Sequence, residues 1–177
     1  MTAVPIDTIS KLDSSRRLTE EAIALFFENR DMLAVHALAA AAHQVLADLA
    51  IARGHQSILK NNPLLKPDRR AEWFQILNAT HNFLKHADRD PDAKFEFRPG
   101  ATPFFIMDSV YIYEQITKQR PHAFNVFMLW FNLKYPHLLL EGPIRQIIGG
   151  MLAQGMDPDD FEAIREVIRR GPNAIAT

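Results

Sequence analysis

The stretch between Asp31 and Gly54 is apolar on both sides when it is placed on a helix. Ala40 and Ala47, two helical turns apart, lie on one side. The opposite side carries a stripe of larger residues, namely Val35, Leu38, Ala42, Val45, Leu46 and Leu49. Asp31 is a suitable N-cap and Gly54 a suitable end. Because a surface helix is apolar on one face only, this pattern predicts a helical bundle with residues 31–53 at its centre.

The rest of the chain repeats helical periodicity between turn signals. Helices are expected near residues 19–29, 68–87, 102–118, 121–135, 143–154 and 157–171. Their expected starts are Asp68, Thr102, Pro121 and Asp157, with a loop around Asn61–Pro63, an interruption at Gly149–Gly150 and a stop at Gly171–Pro172. The third helix of the bundle is expected to bury Trp73, Ile76, Leu77, Phe83 and Leu84. An aromatic stripe at helical spacing is expected in the core and comprises Phe124, Phe127, Trp130 and Phe131.

Residues 94–98 alternate charged and aromatic side chains, a pattern typical of extended chain. A single strand has no partner, so this segment forms a hairpin, an oligomer contact or no regular structure. Residues 1–177 are therefore expected to form a single all-α domain, a bundle of about six or seven helices with one short extended segment near 94–98.

Composition excludes several functional classes. The 177 residues include no cysteine, which excludes thiol catalysis and cysteine-based metal sites. Ten basic and ten acidic residues in 1–88, and ten and eleven in 89–177, leave neither half basic enough to bind duplex nucleic acid by its field alone. No signal peptide is visible, and the longest apolar runs have six residues, whereas a membrane helix needs about 20. We expect a cytoplasmic protein without a membrane partner.

Two histidines of the central helix, His36 and His43, are seven residues apart and share one face. Their Cα atoms would be about 10 Å apart, which is long for two ligands of one metal ion. One interpretation is a polar pair that lines a slot where helices approach over alanines. The other is two core histidines, each hydrogen-bonded to a carbonyl or a carboxylate.

A second polar cluster lies near the end of the next predicted helix. Asn78, His81, Asn82 and Lys85 share one helical face, and His86 borders it. A cation, two amides and imidazoles suit an anion or a phosphoester, since lysine supplies charge and histidine moves a proton near neutral pH. The alternative is a solvated helix face, although asparagine is a poor residue for a helix interior.

Asp108 stands in the apolar run 104–113. A carboxylate in such a run is expected to be at least half buried, and it then needs a partner, either an arginine or one of the histidines. The alternative is that Asp108 occupies the one hydrated edge of its helix.

Two segments of the chain resemble the motif of the HEPN superfamily, in which an arginine is followed after four to six residues by a histidine. Arg30 and His36 have that spacing, and His81-Asn82 with His86 has a similar one, with His81 in the arginine position. The resemblance implies an all-α homodimer that cleaves RNA without a metal. His36 or His86 would then be the general base, and Arg30 or Lys85 would stabilise the phosphate charge.

Three functions stay open on the sequence. The working hypothesis is a binding or regulatory module that holds a small anionic ligand, a nucleotide or a partner protein on the 78–86 face, with His43 and Asp108 as further binding residues. The second is a HEPN-like ribonuclease. The third is a metal-dependent hydrolase that combines histidines with Asp88, Asp90 or Asp108. The sequence indicates no particular metal site and no cofactor.

Overall fold

The computed structural model describes residues 6–62 and 65–171, and this part of the chain contains seven α-helices and no β-strand. The prediction of an all-α bundle is confirmed. The helices are α1 (Lys11–Phe27), α2 (Met32–Ala52), α3 (Arg70–Lys85), α4 (Thr102–Thr117), α5 (His122–Lys134), α6 (Pro143–Ala153) and α7 (Phe161–Arg170). Short 3-10 turns occupy Pro67–Arg69, Pro99–Ala101 and Pro136–Leu138.

The central helix of the bundle is α2, as its two apolar sides predicted. It packs most extensively against α1 and α4. Val35 and Leu46 are buried on one side, and Ala40 and Ala47 are buried on the other. Because alanine side chains are small, the neighbouring helices can approach α2 closely along its whole length.

Within the described residues, α2 is also the one helix that is long and apolar enough to cross a membrane, with a mean hydropathy of 1.4 over 18 residues. Half of that window is buried inside the bundle. A buried core helix meets the same criteria, so the finding is weak evidence for a membrane span. The absence of a membrane partner stays a prediction.

Aromatic rings fill the contact between α1, α5 and α7. Phe26 and Phe27 of α1 meet Trp130 of α5 with ring centroids 4.8 and 5.6 Å apart. Phe161 of α7 lies 5.3 Å from Phe27. The predicted aromatic stripe of α5 is confirmed as core, since Phe124, Phe127, Trp130 and Phe131 are all buried.

Several helix ends differ from the sequence prediction. The first helix begins at Lys11 instead of Thr19, because the Ser10 side chain accepts a hydrogen bond from the Asp13 backbone and caps it. The last helix begins at Phe161 instead of Asp157, and Asp160 is the cap. Expected caps or stops at Asp31, Pro121 and Gly171 are confirmed. Pro63 and Pro172 lie outside the described residues.

Three further expectations, two about helix caps and one about an interruption inside a helix, are wrong. Asp68 lies in the 3-10 turn before α3 and does not cap that helix. Thr102 is the first residue of α4 and not its N-cap, and its side chain bonds to another helix instead. Gly149 and Gly150 do not interrupt α6, which is continuous from Pro143 to Ala153. Glycine lowers helix propensity by about 1 kcal/mol per residue, which neighbouring residues can offset.

The segment 94–98 has no regular secondary structure. Phe95 and Phe97 are half-buried, whereas Lys94, Glu96 and Arg98 are exposed. The alternation in the sequence therefore corresponds to an alternation in burial, and of the three options the segment takes the one without regular structure. It did not produce a strand, because no second strand in the described chain lies beside it to form a ladder.

The third helix is less buried than its sequence predicted. Of its five expected core residues, only Leu77 is buried, and Ile76 and Leu84 are 58% and 44% exposed. α3 packs against α2 much less extensively than α1 and α4 do. Its apolar face therefore lines a cleft instead of closing the core.

Candidate functional site

A cleft of about 680 Å³ separates α3 from the segment 95–105. This volume falls within the range of about 300–1,000 Å³ that is typical of small-molecule pockets. Trp73 and Leu77 of α3 line one side, and Phe95 and Phe104 line the other. His36, Thr80, Glu96 and Arg98 are the polar residues of the lining. We call this space the α3 cleft.

His36 lies in the wall of the α3 cleft and is 3% exposed. Its Nδ1 atom is 3.0 Å from the Thr102 hydroxyl oxygen, and its ring makes edge contacts with Phe97 and Phe105 at 5.5 and 4.9 Å. Nε2 makes no hydrogen bond to any residue that the structure describes. Burial lowers the pKa of His36 below its ordinary value of 6.5. The imidazole is therefore neutral at pH 7 and can offer one ring nitrogen to a ligand.

This lowered pKa predicts a dependence of stability on pH. Well above pH 6.5 both folded and unfolded states hold a neutral His36, so protonation of this residue does not lower the free energy of unfolding. As the pH falls from 6.5 towards the folded pKa, the unfolded chain binds a proton that the folded protein does not, so the free energy of unfolding falls by up to about 1.4 kcal/mol per pH unit.

Urea unfolding between pH 7.5 and 5.0 measures this dependence. We expect His36→Gln to have a shallower slope of stability against pH than the wild type, whatever its stability at pH 7.5. Equal slopes in the two proteins would show that His36 does not remain neutral in the folded state.

The second histidine of α2 belongs to a buried polar cluster around Asp108. His43 Nε2 and the Ser57 hydroxyl both donate to Asp108 Oδ2, at 2.8 and 2.5 Å. The backbone N–H groups of Ile58 and Leu59 donate to the same carboxylate at 2.9 and 3.1 Å. All three side chains are buried, with Asp108 fully inaccessible to solvent. We call this group the Asp108 cluster.

The surroundings of Asp108 keep it ionised. Burial by itself would raise the pKa of this carboxyl, but the hydrogen bond and electrostatic interaction with His43 act in the opposite direction. Donation from Ser57 and from the Ile58 backbone adds to them, and together these groups lower the pKa of Asp108 below its ordinary value. Of the two interpretations of Asp108, the buried carboxylate with a basic partner is confirmed, and His43 is the partner instead of an arginine.

The Asp108 cluster also holds one wall of the α3 cleft. The turn that Asp108 binds contains Leu59, which lines the cleft. The carbonyl of Leu59 accepts a hydrogen bond of 2.7 Å from the Trp73 indole. A chain of hydrogen bonds therefore joins the core of α4 to the α3 side of the cleft.

The structure places the two histidines of α2 in different surroundings. Both rings contact Phe105, at 4.9 and 5.2 Å, which confirms that they share a face of the helix. His43 fits the interpretation as a core histidine bonded to a carboxylate. His36 fits the interpretation as a polar group that lines a slot. Ser57 was missed, because a loop serine carries no sequence signal that ties it to a carboxylate 51 residues away.

The polar face predicted on α3 lies outside the α3 cleft. Asn78, His81 and His86 are partly exposed, Asn82 and Lys85 are exposed, and none of the five lines the cleft. Partial burial and the nearby Lys85 and His86 lower the pKa of His81, so these three basic groups lie close together. They form a partly exposed cluster on a face of the helix that does not line the α3 cleft.

The two residues of the first HEPN-like motif face different spaces. Arg30 is exposed, pairs with Glu28 at 3.1 Å and borders a charged cleft beside α7. His36 lies in the α3 cleft instead. Within one protomer, the structure therefore places Arg30 and His36 beside different clefts.

The carboxylates named for a metal-dependent hydrolase lie in different surroundings. Asp88 and Asp90 are exposed in the turn after α3, and Asp108 is occupied by its own cluster. In residues 6–62 and 65–171, no three histidine, aspartate or glutamate side chains are placed to hold a metal ion.

A second apolar cleft, of about 650 Å³, lies between α5 and α7. Its polar side chains already have partners within the protein. His122 Nε2 bonds to the Val167 carbonyl at 2.9 Å, and Asp160 caps α7. His122 is therefore engaged within the protein, whereas His36 of the α3 cleft keeps Nε2 without a partner among the described residues.

Comparison with known proteins leaves the family of this chain open. A scan of protein-family models and searches of curated proteins and solved structures found no match. The HEPN resemblance rests on the two sequence motifs alone.

Proposed function

We propose that the protein is a binding module that holds a small, largely apolar molecule in the α3 cleft. The observation that carries this proposal is the position of His36, a buried neutral imidazole in the wall of an otherwise apolar cleft. A largely apolar pocket with a few polar groups, one of them with a perturbed pKa, is the usual character of a ligand site.

Binding is favoured over catalysis because, among the described residues, no carboxylate is bonded to His36 to orient it as a general base. The one hydrogen-bond partner of His36 among the described side chains is the Thr102 hydroxyl, and no carboxylate orients the ring. The carboxylate that could do so, Asp108, is saturated with donors in the buried Asp108 cluster. A general base is normally oriented by such a third group.

The ligand site proposed here differs from the site expected on the sequence. The sequence placed the ligand on the 78–86 face of α3, whereas the concave space lies on the face with Trp73, Leu77 and Thr80. Ligands bind in clefts because a concave surface removes most of the ligand from water. The homodimer, the RNA partner and the cytoplasmic location stay predictions, as do the ribonuclease and hydrolase functions.

Filling the cleft should abolish binding. Ala79 lies in the α3 cleft and is partly exposed, so Ala79→Phe places a ring in the ligand space with little disturbance of the core. With 2-naphthol as the probe, we expect the dissociation constant to rise at least about tenfold, which corresponds to about 1.4 kcal/mol of lost binding. Titration followed by the NMR signal of the Trp73 indole N–H measures this constant.

Ala163→Phe is the matched control, since Ala163 lines the α5–α7 cleft. It should leave the affinity for 2-naphthol within about twofold of wild type. If Ala163→Phe abolishes binding while Ala79→Phe does not, the ligand occupies the other cleft and the proposal is wrong. Failure of the wild type to bind 2-naphthol, 2-naphthoate or 2-naphthylmethylammonium would also refute it.

A further inference from the structure

We propose that the α3 cleft selects planar aromatic carboxylates and that Arg98 is the residue that recognises the carboxylate. This inference rests on the proposed function and adds the chemical class of the ligand. It depends on the aromatic walls of the cleft and on the charges at its mouth.

The walls of the cleft are aromatic on both sides. Trp73 faces the space from α3, and Phe95, Phe104 and Phe105 face it from the opposite segment. Aromatic rings favour offset or edge contact with another ring, which is worth about 0.5–1.5 kcal/mol beyond the buried area. A flat aromatic ligand can gain such contacts on both of its faces.

These wall rings are held in place by contacts with the rest of the protein. Phe95 stacks on Phe83 at 5.3 Å, and Phe104 meets Phe131 at 5.3 Å. The Trp73 indole donates to the Leu59 carbonyl. Because the rings are already ordered, a ligand loses little free energy in immobilising them.

Arg98 provides the charge at the mouth. It lines the cleft and is exposed, and within the described chain its side chain forms no hydrogen bond or ion pair. A guanidinium matches a carboxylate with two parallel hydrogen bonds, a fit that an ammonium group cannot reproduce. Arg98 is therefore available to an acidic ligand without first breaking an internal contact.

The net charge of the segment 94–98 and the N-terminus of α4 favour an anion at Arg98. Glu96 also lines the cleft, but Lys94 and Arg98 flank it, so the segment 94–98 carries one net positive charge. The N-terminus of α4 follows directly, and no side chain caps its first turn. The N-cap Ala101 and Phe104 of the first turn line the cleft, so the positive end of the helix dipole adds to the field of Arg98.

Three probes with one ring system and different charges test this inference: 2-naphthoate, neutral 2-naphthol and 2-naphthylmethylammonium, each titrated at pH 7.5. We expect wild-type protein to bind 2-naphthoate about tenfold more tightly than 2-naphthol. In Arg98→Gln that preference should fall to within about twofold. Glu96→Gln is the matched control at the same mouth and should keep or increase the tenfold preference, because it removes a negative charge.

The outcomes separate this inference from the proposed function. If 2-naphthol binds but 2-naphthoate binds no more tightly, or if Arg98→Gln keeps the preference, the carboxylate inference fails and the binding function stands. If the ammonium probe binds most tightly and Glu96→Gln removes that preference, the cleft selects cations and the inference is wrong. If the wild type binds none of the probes, both fail together. Arg98 and Glu96 are exposed, so thermal unfolding of each variant confirms an intact fold.

Discussion

Replacing Asp108 with alanine is expected to lower the free energy of unfolding by about 3–5 kcal/mol. The change leaves four donors without their acceptor: the buried His43 Nε2 and Ser57 hydroxyl, and the backbone N–H groups of Ile58 and Leu59. Such a loss is large beside the total stability of about 5–15 kcal/mol that is usual for a domain. Urea unfolding at pH 7 measures it.

Asp48→Ala is the control for this change, because Asp48 is exposed on α2 and bonds only to the Gln44 amide among the described side chains. It should change stability by no more than about 0.5 kcal/mol. A loss below about 1 kcal/mol for Asp108→Ala would contradict the structure of the Asp108 cluster.

Acid should act on the Asp108 cluster in a definite pH range. The folded pKa of Asp108 is below the ordinary value of 3.8, so its contribution is fully present above about pH 3.8. It is lost as the pH falls from 3.8 through the folded pKa, because the unfolded chain binds the proton first. Asp108→Asn, which cannot ionise, should lack this part of the acid transition in urea unfolding at low pH.

The same substitution should disturb the α3 cleft. Asp108 binds the turn that carries Leu59, and the Leu59 carbonyl holds the Trp73 indole. In Asp108→Asn the indole N–H signal of Trp73 should therefore shift even without a ligand.

Replacing Phe127 with alanine is expected to destabilise the protein by about 3–5 kcal/mol, the usual cost of removing a buried aromatic side chain. Phe127 is fully buried, and its ring lies 5.2 Å from Trp130 and about 6 Å from Phe26 and Phe27. These rings belong to α1 and α5, so the cavity left by the substitution weakens the contact between two helices. Urea unfolding measures the loss.

Leu129→Ala is the matched control on the same helix, since Leu129 is 38% exposed. Its effect should be less than half that of Phe127→Ala, because less apolar area leaves water at that position. Equal effects of the two substitutions would mean that the ring of Phe127 is not packed among the aromatic rings between α1 and α5.

Features that depend on the spacing of residues within one helix were predicted correctly from the sequence. The apolar sides of residues 31–53 identified α2 as the central helix, and the aromatic spacing of α5 identified its buried face. Caps were predicted less well, as Ser10, Asp68 and Thr102 show. Many positions carry a residue that can cap, and only the path of the preceding chain decides which one does.

The candidate site could be predicted only in part. The apolar run around Asp108 indicated burial and a basic partner, because an unpaired buried carboxylate is unstable. Arg98 and Ser57 gave no comparable signal, since an exposed arginine and a loop serine are common in any sequence. The α3 face that carries Asn78, His81 and Lys85 looked functional because of its residue types, yet the concave space formed on another face.

The amino-acid sequence was sufficient for the helical class, the central position of α2 and the need of Asp108 for a partner, because each follows from local spacing or from the cost of burying a charge. Tertiary structure alone decided that the partners are His43 and Ser57, 65 and 51 residues away. It also decided that α3 stands off from α2 and opens a cleft over His36. Such distant contacts depend on how complete helices pack together, and no local pattern of residues encodes that arrangement.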